Sequence, residues 1–282
     1  MYQNYMFAVI KPPPPARPIE YGKHLRFNHI KSKNQEEIDD LSNNLRLSIT
    51  FPDKFTLTLN KAFDQQNIGS CVANAFAAAV QILTGEIPSR LYLYYNARLG
   101  CGISPNNDSG LDLGSALPIL CSYGLPAESS YPYLTSQFKK LPPYQVYQDN
   151  SETIIPEIIS YNRISQNEQV IKNVLYSGNP IIFGINVFRS CLLKNVETTG
   201  IIPYPNRRKE QYLGGHCILM VGWTTYNKQD YFIIRNCWGT IWGNTGETTL
   251  KIINGNNGYG YIPKIYILDP ILAFDFYVIK IQ

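Results

Sequence analysis

A thiol beside an imidazole can attack a carbonyl carbon without any metal or organic cofactor, and this chain of 282 residues offers six cysteines and three histidines for such a pair. The thiol whose surroundings suit the task is Cys71, in DQQNIGSCVANAFAAAVQIL. It follows a polar, amide-rich lead and heads a run of small and apolar residues with the look of a buried helix. There, unpaired backbone N–H groups and the positive end of the helix dipole stabilise a thiolate. Taken alone, Cys71 reads more readily as a small buried hydrophobe. Of the histidines, His24 and His29 fall in an N-terminal segment of different character, which leaves His216 in LGGHCILMVGW, at the expected head of a strand. The glycines before it, Gly214 and Gly215, allow close backbone approach. Asn236, in IIRNCWGTIWGNTG, is placed to accept from one imidazole nitrogen and turn the other toward the thiol, with Trp238 as a roof that keeps water off that bond.

These side chains need a scaffold that brings distant segments together. Residues 1–50 read as an arm or pro-segment: KPPPPARP should be extended, and NQEEIDDLSNNL, at 34–45, could form a short polar helix. The compact part, 51–282, begins with helical patterns at 71–84, 89–99 and 114–124, Gly85 closing the first. It continues with β-rich runs at 181–187, 216–223, 231–236 and 248–253. Helices first and strands after predict an α+β fold with a helical lobe over about 51–150 and a β-rich lobe over about 151–282. FKKLPPYQVYQDNSE, at 138–152, is the expected crossing between them.

Bulk properties narrow the function. Hydrophobic residues make up 44% and charged residues 16%, as in a folded globular protein, and the net charge of +4 is scattered without the dense basic blocks that bind nucleic acid. No apolar run is long enough to cross a bilayer and no secretory signal opens the chain. The cysteines form no CxxC pair, so neither a disulfide scaffold nor a zinc site is expected. The expectation is therefore a monomer acting on soluble partners inside a cell, or in a virion or host cell if the source is viral.

Together the motifs resemble the papain/cathepsin family of cysteine peptidases. DQQNIGSC carries the nucleophile, GGHCILMVGW the histidine and RNCWGTIWGNTG the asparagine with two tryptophans, in family order, and SALPILCSYGLPAESSYPY between them resembles a family stretch ending in YPY. The resemblance covers about 51–260. It implies a two-lobed fold with a β-barrel-like second lobe, the active site between the lobes and no cofactor. It further implies peptide or protein substrates, and a thioester acyl-enzyme formed on Cys71 with His216 and Asn236. Carried over by position, Gln65 is the oxyanion-hole glutamine, with Gln66 as the alternative one residue on. Gly110 falls where backbone pairs with an extended peptide, with Trp238 and Gly215 also lining the substrate. Where the family has a cysteine three residues before the nucleophile this chain has Ile68, and the region of that cysteine's disulfide partner carries Asp108. Val72 and Cys237 replace the usual tryptophan and serine. This pattern is closer to a disulfide-poor branch found in microbes and large DNA viruses. Cys217 and Cys237 are expected to point away from the cleft as core thiols, and Trp223 and Trp242 to serve packing. The alternatives are a catalytically silent protein on the same fold that binds or scaffolds, and an acyltransferase with the same Cys–His logic.

Overall fold

The computed structural model describes residues 50–122, 124–148, 158–226, 228–243 and 258–281. The proline-rich stretch, the helix expected at 34–45, His24, His29 and the strand expected at 248–253 lie outside them.

Helix α1, Cys71–Thr84, carries the short side chains of Ala73, Ala75, Ala77, Ala78 and Ala79, and every residue from Cys71 to Gln81 is buried. A helix apolar on all sides must be enclosed on all sides. It is: α2, Arg90–Gly100, and strands β3 and β4, described below, pack against it. Gly85 ends α1 in the left-handed region, φ 85°, its N–H donating to Gln81 O. Ser89 caps α2 by accepting from the Tyr92 N–H at 3.2 Å. Two further helices, α3 at Leu113–Ser122 and α4 at Tyr144–Gln148, complete this layer.

The strands form one seven-stranded antiparallel sheet. In chain order they are β1 (Lys54–Thr56), β2 (Ile158–Arg163), β3 (Ile181–Phe188), β4 (Tyr212–Tyr226), β5 (Gln229–Arg235), β6 (Tyr259–Pro263) and β7 (Ala273–Ile281). Their order across the sheet is β2-β7-β3-β4-β5-β6, with β1 paired to β4. That last pairing needs Gly222, because a Cβ there would lie 2.1 Å from the Phe55 carbonyl oxygen. Short helices α5 (Glu168–Tyr176), α6 (Lys194–Thr199) and α7 (Lys264–Ile267) complete the described fold.

Alternation along β4 sorts its side chains. Cys217, Leu219 and Val221 join the core beneath α1, with Phe76, Leu93 and Leu117. Ile218 and Met220 join a second core on the opposite face, with Phe183, Phe232, Tyr266 and both Trp238 and Trp242. The architecture is α+β, as expected, with two hydrophobic cores divided by the sheet.

One expectation needs correction. His216 sits inside β4 and not at its head, since the strand starts at Tyr212. Gly214 and Gly215 do not interrupt it, because their backbones still pair with Val187 and Asn186 of β3.

Candidate active site

Cys71 is the first residue of α1, and its side chain is fully buried. Behind it, Asn74 Nδ2 donates to both the carbonyl and the hydroxyl oxygen of Ser70, fixing the turn that enters the helix. Burial pushes the Cys71 thiol up to about 11, against the pull of backbone N–H groups of Cys217, Val72 and Cys71 itself. Helix α1 packs on β4, the strand that carries His216.

His216 is 1% exposed, and its Nε2 lies 2.8 Å from Asn236 Oδ1. That oxygen also accepts the Cys237 backbone N–H at 2.8 Å, which fixes the orientation of the asparagine amide. An oxygen can only accept, so Nε2 carries the hydrogen, and in the neutral ring Nδ1 carries the lone pair. Burial lowers the imidazole to about 4, and the bond to Asn236 opposes that only in part. Trp238 stacks on the imidazole with centroids 4.7 Å apart and planes at 25°, and Trp242 meets Trp238 edge-on. Trp242 and Trp223 thus serve packing, as expected, and Trp238 roofs the His216–Asn236 bond.

Gln65 is fully buried and belongs to a short pairing between 63–65 and 237–239. Its N–H donates to Cys237 O, and Gly239 N–H donates to Phe63 O. Its side-chain Nε2 donates to Ile68 O, and its Oε1 accepts from the Cys237 thiol at 3.0 Å. The expectation that Cys237 points away from the cleft is therefore wrong. Cys237 follows β5 and has left strand alternation, so its Sγ reaches the glutamine. Both Cys217, which remains in β4, and Cys237 are the core thiols expected; only the direction of Cys237 differs. Gln66 is exposed with φ 55°, and its Oε1 takes the Thr135 hydroxyl. Of the two glutamines, only Gln65 joins the Cys237 network.

The loop between α2 and α3 carries Gly110, in the left-handed region at φ 75°. Arg98, wholly buried in α2, holds this loop by donating to Pro105 O and Asn107 O. Asp108 then ties it to the nucleophile loop, its Oδ1 accepting from the Gly69 N–H at 2.8 Å and from the Tyr94 hydroxyl. The approach is close at Gly69, where a Cβ would stand 3.1 Å from Gly110 N and the Gly110 backbone would have to give way slightly. Sequence reasoning noted Asp108 only as a departure from the family pattern. The signal of its role was there: a carboxylate where the family pattern has a cross-link to the nucleophile loop. Gly215 lies in β4 opposite Asn186. Among the described residues, no group of three or more His, Cys, Asp or Glu is arranged to hold a metal ion.

Comparison with known proteins gives the family. The chain is 30% identical over 292 aligned positions to an uncharacterized peptidase C1-like protein of Acanthamoeba polyphaga mimivirus, covering 97% of this chain and 86% of that one. It is 25% identical to a cathepsin L-like proteinase of Fasciola hepatica, over 82% of this chain and 72% of the relative. Among solved structures, xylellain, a cysteine protease from Xylella fastidiosa, superposes with a TM-score of 0.71 at 32% identity, covering 83% of this chain and 87% of that one. The sequence profile of the papain family cysteine proteases matches residues 53–262, and the chain belongs to that family.

Proposed function

We propose that this papain-family protein is a cysteine endopeptidase working through Cys71, His216 and Asn236, and that it is made in a latent form. The observation that carries the reading is the His216–Asn236 bond. It commits Nε2–H to the asparagine and leaves the lone pair on Nδ1 as a base for a thiol at the head of α1.

In the proposed cycle, His216 Nδ1 takes the Cys71 proton and the sulfur attacks the scissile carbonyl carbon. The resulting oxyanion is held by the Cys71 backbone N–H and by the second Nε2–H of Gln65, the first being committed to Ile68 O. His216 then gives its proton to the leaving amine, and the C–N bond breaks to leave a thioester. A water molecule, losing its proton to His216, attacks the thioester, and the carboxylic acid and the free thiol are released. The acyl side of the substrate lies along Gly110, whose backbone pairs with an extended chain. Trp238 and Gly215 line the histidine side.

Latency is supported by exposure. Cys71 is 0% and His216 1% accessible, so no carbonyl reaches the sulfur until the site opens. The same burial favours a second reading, a catalytically silent binder. One experiment separates them: labelling with a thiol-directed peptide epoxide, alongside hydrolysis of a peptide library. The endopeptidase reading expects labelling and hydrolysis, both lost in Cys71→Ala, with the rate falling by about 10⁴-fold or more. Undiminished hydrolysis in that variant sinks the mechanism; no labelling under any condition, after removal of residues 1–49 included, favours the binder.

A further inference from the structure

An open pocket of about 510 Å³ lies against Trp238, the ring that stacks on His216. Aromatic rings of Phe63, Tyr133 and Trp238 line it, with Lys61, Asp64 and Arg90 among its polar groups. Its position follows from the loop 65–70. Gly69, at one end, abuts Gly110, and Gln66, at the other, borders the pocket. The pocket therefore lies across that loop from the acyl side, against Trp238, whose ring also stacks on that of His216. Under the endopeptidase reading, on which this placement rests, that is the side from which the leaving amine departs.

The charges around it do not cancel. Arg90 is neutralised: its guanidinium pairs with Glu128 and stacks between Phe63 and Tyr133. Asp64 accepts the Gln66 N–H and keeps its negative charge at the pocket. Lys61 is exposed and forms no ion pair among the described residues. Directly behind the wall is a further cation, Arg235, 2% exposed, whose Nη2 donates to Lys61 O and to Gln81 Oε1, both residues of the pocket. Its Nε and Nη1 find no acceptor among the described residues, and no carboxylate there pairs with it. Its guanidinium lies 4.5 Å from the centre of the Phe63 ring, which Arg90 also covers. Burial brings Arg235 down to about 10, so it stays charged at neutral pH. A buried cation without a counter-ion projects its field into the nearest cavity, since little solvent intervenes. Lys61 and Arg235 together outweigh the single charge of Asp64, so the Lys61 end is positive, with the rings of Phe63, Tyr133 and Trp238 in the same wall.

We propose that this pocket binds the leaving segment of the peptide by a carboxylate, received between Lys61 and the field of Arg235, with an apolar side chain on Phe63, Tyr133 and Trp238. Two sources supply the same chemistry, the C-terminal carboxylate of a short leaving segment and an acidic side chain further along a longer one. A free carboxylate at Lys61 gains a partly screened ion pair, on the order of fivefold in affinity.

Binding to the full-length chain tests this without any turnover. The probes are alanyl-phenylalanyl-alanine as free acid, the same peptide as carboxamide, and the carboxamide with glutamate as its last residue, titrated by calorimetry with tryptophan fluorescence in parallel. Tighter binding of the free acid than the amide assigns the terminal carboxylate; tighter binding of the glutamate peptide assigns the side chain. Either preference should disappear in Lys61→Glu, weaken as salt rises, and persist in Lys280→Glu, an equal charge change on β7. Equal affinity for all three peptides, no binding of any, or a preference that survives Lys61→Glu overturns the proposal. Epoxide labelling of Cys71 reports separately on the peptidase reading. A carboxylate preference without labelling leaves the pocket standing and the reading fallen, and labelling without preference does the reverse.

Discussion

Gln65 is gripped at its backbone N–H, its carbonyl and both side-chain atoms, by Cys237, Tyr133 and Ile68. Of these, the Cys237 thiol bears on the proposed chemistry, because its bond to Oε1, with that of Nε2 to Ile68 O, sets which end of the amide would face an oxyanion. Gln65→Ala should lower kcat by about 10²–10³. Cys237→Ala should lower it by roughly five- to tenfold with KM little changed, since one modest hydrogen bond positions the donor. Cys237→Ser, which restores a donor of similar size, should recover the loss; a serine variant as slow as the alanine one would show that packing alone matters. The histidine makes a different prediction. Burial holds His216 near 4, below its ordinary 6.5, so an unfolded chain binds a proton that the closed native state refuses. Native stability then falls as pH drops from about 6.5 to 4, by up to roughly 3 kcal/mol. For Cys71, raised to about 11, the sign reverses, and stability falls as pH rises above 9.0. Thermal midpoints across this range should show a steeper acid-side decline in the native chain than in His216→Ala, and equal declines would count against a neutral buried imidazole. The pair His216 and Asn236 was legible in the sequence because each side chain has one chemical use at such a site. The Cys237 contact was not, because it depends on where β5 stops, and strand ends are set by pairing with β6 and not by local residue type.

At the level of elements, two cross-connections hold the nucleophile loop: the 63–65 to 237–239 pairing on one side and Asp108 on the other. Asp108→Ala strips the acceptor from the Gly69 N–H and the buried Tyr94 hydroxyl together, and should cost about 3 kcal/mol in urea unfolding. Tyr94→Phe removes one of these bonds and should cost about 1 kcal/mol. The two variants should differ in activity as well, because only the first releases the loop that carries Gln65; matching kcat values would mean that Asp108 serves stability alone. Helices α1 and α2 were readable because their evidence is local: a run of small apolar residues closed by Gly85, and Ser89 placed before an apolar-periodic stretch. Strand partners were not. Nothing in the short β1 announces that Lys54 will face Thr224, and the length of β4 follows from β3 lying beside Gly214 and Gly215.

For the molecule as a whole, the question is where the N-terminal arm ends and the peptidase begins. Just after the expected boundary near residue 50, the described residues form an aromatic cluster. Phe51 meets Trp223 and Tyr176 edge-on, Phe55 stacks on Trp223, and the Trp223 indole N–H donates to Pro52 O at 2.9 Å. A cut after Phe51 would strip the second core of a ring and expose Trp223, whereas a chain beginning at Thr50 keeps the whole cluster. If residues 1–49 hold the site closed, that shorter chain should alkylate at Cys71 and hydrolyse peptides at least ~10-fold faster than the full chain. A tenfold gain asks only that the arm favour the closed state by about 1.4 kcal/mol, since apparent reactivity scales with the open fraction. Cys71→Ala in both lengths supplies the blank for alkylation, because Cys101 is only partly buried and contributes a background. A thermal midpoint unchanged between the two lengths would show that the anchor at Phe51 is intact. With that established, equal rates would mean that the closure of Cys71 and His216 is a property of the folded peptidase itself, opened by substrate and not by loss of the arm.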